Sequence, residues 1–501
     1  MNRNKKLLLN TIIPLVVQGL TLVRGLILPV LRLEAFGSEA NGLVNSVTRF
    51  LSLISFLDLG VGAVVRYSLY KPLADGDIHG ISRIVTSAQK FFRKIAMVLL
   101  LYIVVLCVAF PFGVSSSFSY WYIAALILII SASSFVQYYF GIVDGILLTA
   151  DQRGYIQYTL QAITIVVNII VSVVLIKNGF SLQTVMLAST IVYIVRPIAM
   201  RIYVNRHYRV NRRESYSEEP IKQKWNGLAQ HVAAVIIDEA DTVVLTLFST
   251  LTVVSIYSVY HMIVFNVKTP ILFMMSGVQA VLGEYWAKQE HQKLQDFFRK
   301  VEWIVHSTTI LIFGCMSVLL VPFVSIYTAN VADADYYQPV FSYLIVLANA
   351  WHCLRLPYNT MVLAAGKFKE TQKNYIVAAV LNVVISVVTV HFLGLIGVAI
   401  GTLVAMVYQT IWMEIYLSKN VLRWPVKSFI KQILVDAVVC LLGIIATYRI
   451  SLMCSNYQEW FLVAVVDLII WIAISFVVNM VFYKGNVRYV FDTVRSKVFK
   501  R

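Results

Sequence analysis

The apolar stretch over residues 8–31 constrains this chain more than any other feature. It is long enough to cross a bilayer, for which about 20 apolar residues suffice, yet it carries Arg24 within it. A cation near the middle of a membrane helix costs roughly 2.5–3.5 kcal/mol on insertion scales. Arg24 also has polar company. Pro14, Gln18, Thr21 and Arg24 recur at three- and four-residue steps and so share one side of a helix. Such a stripe needs a wet cavity or polar partners, unless the arginine reaches outward along its aliphatic stem to the membrane surface.

The rest of the chain supplies the other walls. Of 501 residues, 59% are hydrophobic and only 13% charged, a composition that belongs to an all-α polytopic membrane protein. About fourteen apolar spans are expected by length, near 8–31, 40–65, 95–113, 119–148, 156–177, 181–203, 226–250, 252–283, 302–327, 339–365, 374–392, 394–418, 428–450 and 460–483. The net charge of +17 does not point to nucleic acid. Lys and Arg concentrate in alternate connections, at 66–94, 205–224, 284–300, 366–373, 419–427 and the tail 484–501. The positive-inside rule makes that side cytoplasmic, and an even span count then puts both termini there. Trp121, Trp225, Trp286, Trp303 and Trp460 fall at span ends, where interfacial aromatics belong. The five cysteines show no metal spacing and read as small apolar residues. The first basic cluster runs into a span too long for a cleavable signal.

The chain repeats itself. Phe91-Phe92-Arg93-Lys94 returns as Phe297-Phe298-Arg299-Lys300, and Asn168 with Ser172 returns as Asn382 with Ser386. Gly60-Val61 returns as Gly277-Val278. Two six-helix lobes with the same orientation are therefore expected, related by a pseudo-two-fold axis along the membrane normal, with a site near the midplane. The expected division is an N-terminal lobe at 1–204, a basic cytoplasmic linker at 205–225, a C-terminal lobe at 226–418, and two further helices with a basic tail at 419–501.

Charges inside spans are the candidate functional residues. Arg49 in the second span sits at a depth close to that of Arg24, so both could face one cavity. Lys268 lies in the eighth span, with His261 and Pro270 near it. His352 and Arg355 lie in the tenth, with Asn349, Pro357 and Asn359 around them. Several cations in a cavity suit a phosphate or pyrophosphate; the alternative is that they neutralise buried acids. The seventh span supplies acids: His231, Asp238 and Asp241 share a face, with Glu239 beside them. They either meet cations such as Lys268 or bind Na+ or protons. Asp58, Asp144, Asp436 and Asp467 are further intramembrane acids without an evident role. No phosphate-binding glycine loop and no HExxH metal motif occurs, so no cofactor, metal site or catalytic residue is expected. The triplets Asp75-Gly76-Asp77 and Asp333-Ala334-Asp335 would suit a metal-dependent glycan transferase or polymerase, but turns use the same residues. Gly397, Gly401 and Ala405 form a small-residue stripe for helix packing.

The run Phe36-Gly37-Ser38-Glu39-Ala40-Asn41-Gly42-Leu43, followed by a helix ending Leu57-Asp58-Leu59-Gly60-Val61, resembles the first helix pair of the polysaccharide transporters. These are Wzx-type flippases of the multidrug/oligosaccharidyl-lipid/polysaccharide exporter superfamily. Gly394-Leu395-Ile396-Gly397-Val398-Ala399-Ile400-Gly401 resembles the opening of their twelfth helix. The resemblance implies a two-lobed bundle that moves a lipid-linked oligosaccharide across a bacterial cytoplasmic membrane. The partners it implies are membrane lipids, Na+ or H+, and polysaccharide-assembly proteins. The family's cavity cations fall on Arg24 and Arg49, while Lys268 and Arg355 match only by position. With Gln18 and His352 they make the expected substrate set; Asp238, Asp241 and His231 are the expected ion-coupling or pairing set. The acids leave room for a cation-coupled drug antiporter of the same superfamily.

Overall fold

The computed structural model describes residues 3–54, 61–216, 218–219, 221, 228–451 and 454–488. The chain is an all-α polytopic membrane protein. Its described elements are α1 (Arg3–Leu53), α2 (Val61–Asp75), α3 (Ile78–Gly113), α4 (Tyr120–Val136), α5 (Ile142–Ala150), α6 (Gly154–Lys177), α7 (Leu182–His207), α8 (Leu228–Phe248), α9 (Leu251–Ala287), α10 (His291–Tyr327), α11 (Pro339–Ala364), α12 (Phe368–Leu393), α13 (Leu395–Asn420), α14 (Lys427–Ser451) and α15 (Tyr457–Phe482). A single π turn, Gln137–Gly141, joins α4 to α5. Eleven of these helical segments are long and apolar enough to cross a membrane, the first of them, Leu8–Leu53, being long enough for two crossings.

Two expectations change. The spans near 8–31 and 40–65 share α1, and the chain turns inside it at Gly37, with φ 80° and ψ 172°. That conformation is closed to residues with a Cβ, which accounts for the glycine in the Phe36–Leu43 run. Residues 55–60 of the second span, Asp58 among them, lie outside the described residues. The basic segments 66–94 and 284–300 are helical almost throughout. They are the ends of α2, α3, α9 and α10, reversed by short turns at Gly76 and Gln289, both with positive φ. Lys and Arg are good helix formers once water can solvate their ends, so nothing forces the helices to stop at the membrane surface.

By contacts the chain divides into two compact units, Met1–Ile256 and Tyr257–Arg501. α8 falls in the first of these, whereas the repeat groups it with the second lobe. In the first unit one apolar core gathers Leu43, Val47, Leu99, Leu126 and Leu251, and another Val65, Leu69, Val85, Phe92 and Leu147. Gly42 is pressed against the start of α9: a Cβ there would stand 1.8 Å from the Leu251 carbonyl oxygen. In the second unit Trp471 is fully buried among α10, α14 and α15. Its indole fills the space that side chains at Gly314 and Gly443 would occupy, and its Nε1 donates to Thr447 Oγ1 at 3.3 Å. The two additional helices are thus keyed into the unit by one large aromatic side chain. Gly397 and Gly401 let α13 close on α12, with Gly401 against Ser386 Oγ.

The acidic triplets are built into turns. Asp77 caps α3, its Oδ1 accepting from Gly80 N at 2.8 Å, and Asp335 Oδ1 accepts from Tyr337 N at 2.8 Å.

Candidate functional site

In the first unit α1, α6 and α7 enclose a cavity of about 300 Å³. Arg24, Arg32, Asn45, Asn168, Ser172 and Tyr193 are among its lining residues. The Arg24 guanidinium donates to the Tyr193 hydroxyl in a short hydrogen bond and lies 5.9 Å from the centre of that ring. Tyr193 in turn donates to Asn168 Oδ1 at 3.3 Å, and Asn168 Nδ2 donates to Ser189 Oγ at 2.6 Å. This chain of neutral groups orients the guanidinium without neutralising it. A carboxylate would cancel its charge; a phenol leaves it available to an incoming anion. Gln18 is half-buried on the same helix and is not among the residues lining the cavity.

Arg49 takes a different position. Its Nη1 lies 3.1 Å from Glu239 Oε2 on α8, and the residue does not line the cavity. Glu239, one of the three acids of α8, is thus a partner of this cation. Asp238 is exposed and Asp241 is buried; the side chain of His231 lies outside the described residues.

In the second unit, Lys268 on α9 and Arg355 on α11 are both buried. Arg355 Nη2 lies 3.3 Å from His352 Nδ1. Nearby, Tyr375 donates a short hydrogen bond to Asn359. Arg355 and His352 thus stand together in the second unit, whereas Arg24 and Arg49 take different partners in the first.

Several polar residues that the sequence did not connect are joined in the fold. Asp144 is fully buried and held by two arginines: Arg201 Nη1 at 3.2 Å and Arg212 Nη2 at 2.8 Å. Burial lowers the pKa of the Arg212 guanidinium, and the Asp144 charge opposes that shift. Arg201 stood visible as a charge in an apolar span, but its partner lies 57 residues away. In the second unit, Glu302, His306, Tyr358 and Asp436 form one buried network. Tyr358 donates to Glu302 at 2.5 Å, and His306 Nδ1 meets Asp436 Oδ2 at 2.6 Å. Gln432 donates to Asp436 Oδ1 at 3.0 Å. Glu414 accepts from Ser418 at 2.7 Å, and Ser418 accepts from Trp424 Nε1 at 2.9 Å. The only advance signal for Glu302 and Glu414 was their place at span ends, where acids are ordinarily solvated.

No protein-family model matches the sequence, and no curated protein matches it either. Solved structures do match. A lipid II flippase, MurJ, in an inward closed conformation superimposes with a TM-score of 0.69 at 15% identity, covering 96% of this chain and 100% of its own. An inward-facing multidrug-resistance MATE transporter of the MOP superfamily gives 0.63 at 15% identity, covering 80% and 95%. A mutant of the Vibrio cholerae MATE transporter VcmN gives 0.53 at 14% identity, covering 82% and 99%. The chain has the fold of these membrane transporters. A match over 96% of the chain leaves about 20 residues uncovered, fewer than the 25 of α14 or the 26 of α15. The flippase likeness thus extends into both of these helices.

Proposed function

We propose that this protein is a Wzx-type flippase that carries a lipid-linked oligosaccharide, joined to its polyprenyl carrier through pyrophosphate, from the cytoplasmic to the outer leaflet by alternating access. The observation that carries this reading is Arg24, which lines a cavity together with Arg32, Asn45 and Ser172 and is held by a phenol instead of a carboxylate. A pyrophosphate brings two or more negative charges and needs several donors to replace its hydration. Arg24 supplies the fork. The Lys268–His352–Arg355 group and Arg49, once released from Glu239, are the further cations we assign to the substrate, with Gln18 at the edge of the path. The tail would stay in lipid while the glycan crosses in water. The likeness to a lipid II flippase supports a lipid-linked substrate. The protein would reside in a bacterial cytoplasmic membrane with both termini inside, use a Na+ or H+ gradient, and work beside polysaccharide-assembly proteins.

The second reading is a Na+- or H+-coupled drug antiporter, favoured by the MATE likeness and by Asp238 and Asp241 on α8. One experiment separates the two. Surface glycan and accumulated lipid-linked glycan are measured in cells carrying Arg24→Ala or Arg24→Lys, with dye efflux in parallel. The flippase predicts loss of surface glycan in Arg24→Ala, partial retention in Arg24→Lys, and unchanged dye efflux. Normal surface glycan in a well-expressed Arg24→Ala, with efflux lost in Asp238→Asn, Asp241→Asn, would establish the antiporter instead.

A further inference from the structure

The first Phe-Phe-Arg-Lys repeat lies in α3 and has no part in the transport reading. Phe92 is the anchor, buried in the core of the first unit. The cations turn elsewhere. Lys90, Arg93 and Lys94 line a second cavity of about 690 Å³ together with Tyr139 and Tyr216. Lys90 Nζ lies 4.6 Å from the Tyr216 ring centre, and the Arg93 guanidinium 4.9 Å from that of Tyr139. Two of the three cations thus rest on aromatic faces that fix them without neutralising them. One acid, Glu219, also lines the cavity, and it is engaged by the Ser87 hydroxyl and by Ile221 N at 3.3 Å.

The cavity continues onto Met97 and Val98, both exposed. From there Leu101, Val104, Val105 and Val108 extend the exposed apolar face of α3. At 1.5 Å per residue, Lys94 to Val108 spans roughly 21 Å, most of the distance across a hydrocarbon core of about 30 Å. The cations therefore stand where an apolar, lipid-facing stripe gives way to the basic side of the protein. A free phosphate would gain nothing from the apolar lip. A phospholipid would place its acyl chains along the stripe and its phosphate among the cations.

We propose that Lys90, Arg93, Lys94, Tyr139 and Tyr216 form a binding site for the phosphate headgroup of an acidic membrane phospholipid. This site is separate from the Arg24 cavity and does not depend on the transport reading.

The test is native mass spectrometry of the full-length protein titrated with phosphatidylglycerol, and in parallel with phosphatidylcholine. Phosphatidylglycerol should be retained in preference. Lys90→Gln, Lys94→Gln should weaken that retention by about tenfold, since each surface cation contributes measurably to acidic-lipid binding. Lys90→Arg, Lys94→Arg should keep it. Lys288→Gln, Lys293→Gln removes the same charge from exposed lysines outside the cavity, and should change nothing. Should the double glutamine variant fold poorly, Lys94→Gln alone should show about a threefold loss. Equal retention in wild type and the cavity variants would overturn the site. So would equal loss in the Lys288, Lys293 variant, which would reduce the effect to diffuse charge, or equal retention of phosphatidylcholine. Displacement of the lipid by millimolar inorganic phosphate would overturn the lipid as the ligand and leave an ion site.

Discussion

The hairpin of α6 and α7 and the hairpin of α12 and α13 carry the same repeated residues, yet their matched positions are packed differently. In each, an asparagine crosses to a hydroxyl on the next helix. Asn168 donates to Ser189 at 2.6 Å, and Asn382 donates to Thr402 at 3.0 Å. Counting from the two hydroxyls gives an offset of 402 − 189 = 213 residues. Gly401 then matches Ala188, and Met406 matches Tyr193. Gly401 is in close contact with Ser386 Oγ and the Asn382 carbonyl, so α12 and α13 seal on each other and Ser386 is fully buried. Ala188 carries the Cβ that Gly401 lacks, and Ser172, the counterpart of Ser386, lines the cavity instead. At these matched positions α13 has a glycine and a methionine where α7 has an alanine and a tyrosine. A repeat preserves the cross-helix tie, while single side chains decide what the space beside it is for.

The largest expected effect strikes the cavity copy. Arg24→Ala should lower surface glycan export by roughly 100-fold, the scale of losing one or two charge-assisted hydrogen bonds to the substrate. Membrane yield should hold, which quantitative blotting beside the export assay checks. Export at half the wild-type level or more would remove the distinction between the two hairpins.

Next comes the sealed copy. Gly401→Ala puts a methyl group where Ser386 already sits, so unfolding stability should fall by about 1–3 kcal/mol. A thermal unfolding scan in detergent reads this. Ala188→Gly, its mirror, should cost only about 0.5–1 kcal/mol from helix propensity. A Gly401→Ala variant as stable as wild type would mean that α12 and α13 can part as α6 and α7 do.

A smaller effect separates orientation from charge. Tyr193→Phe removes the hydroxyl that receives Arg24 and bridges to Asn168, yet keeps the ring. Export should drop by about five- to tenfold, the scale of one net hydrogen bond of roughly 1 kcal/mol. Thermal stability should stay within about 0.5 kcal/mol of wild type, as for a substitution that leaves packing intact. Asn382→Ala is the smallest and sharpest test. It should cost about 1 kcal/mol of stability and leave export unchanged, whereas Asn168→Ala should affect both.

Much of the architecture is local and was legible in the chain. Whether a segment can cross a bilayer depends on its own length and polarity, so the helical course of the expected spans followed from residue types alone. The repeat was legible because Asn168 and Asn382 each recur with a serine one turn on, and each asparagine donates to a hydroxyl on the following helix. The in-span charges were visible because each is costly where it stands. What each charge does was not visible, because that depends on side-chain direction and on neighbours far away in the chain. Arg24 and Arg49 looked like a pair from their depth, but Arg49 meets Glu239, 190 residues on, while Arg24 meets Tyr193, 169 residues on. Asp144 had no role until Arg201 and Arg212 closed over it. His306 and Asp436, 130 residues apart, sit on different helices that only packing brings into register. Local hydrophobicity determines where this chain runs through the membrane; helix packing decides which charges are cancelled and which remain for a ligand.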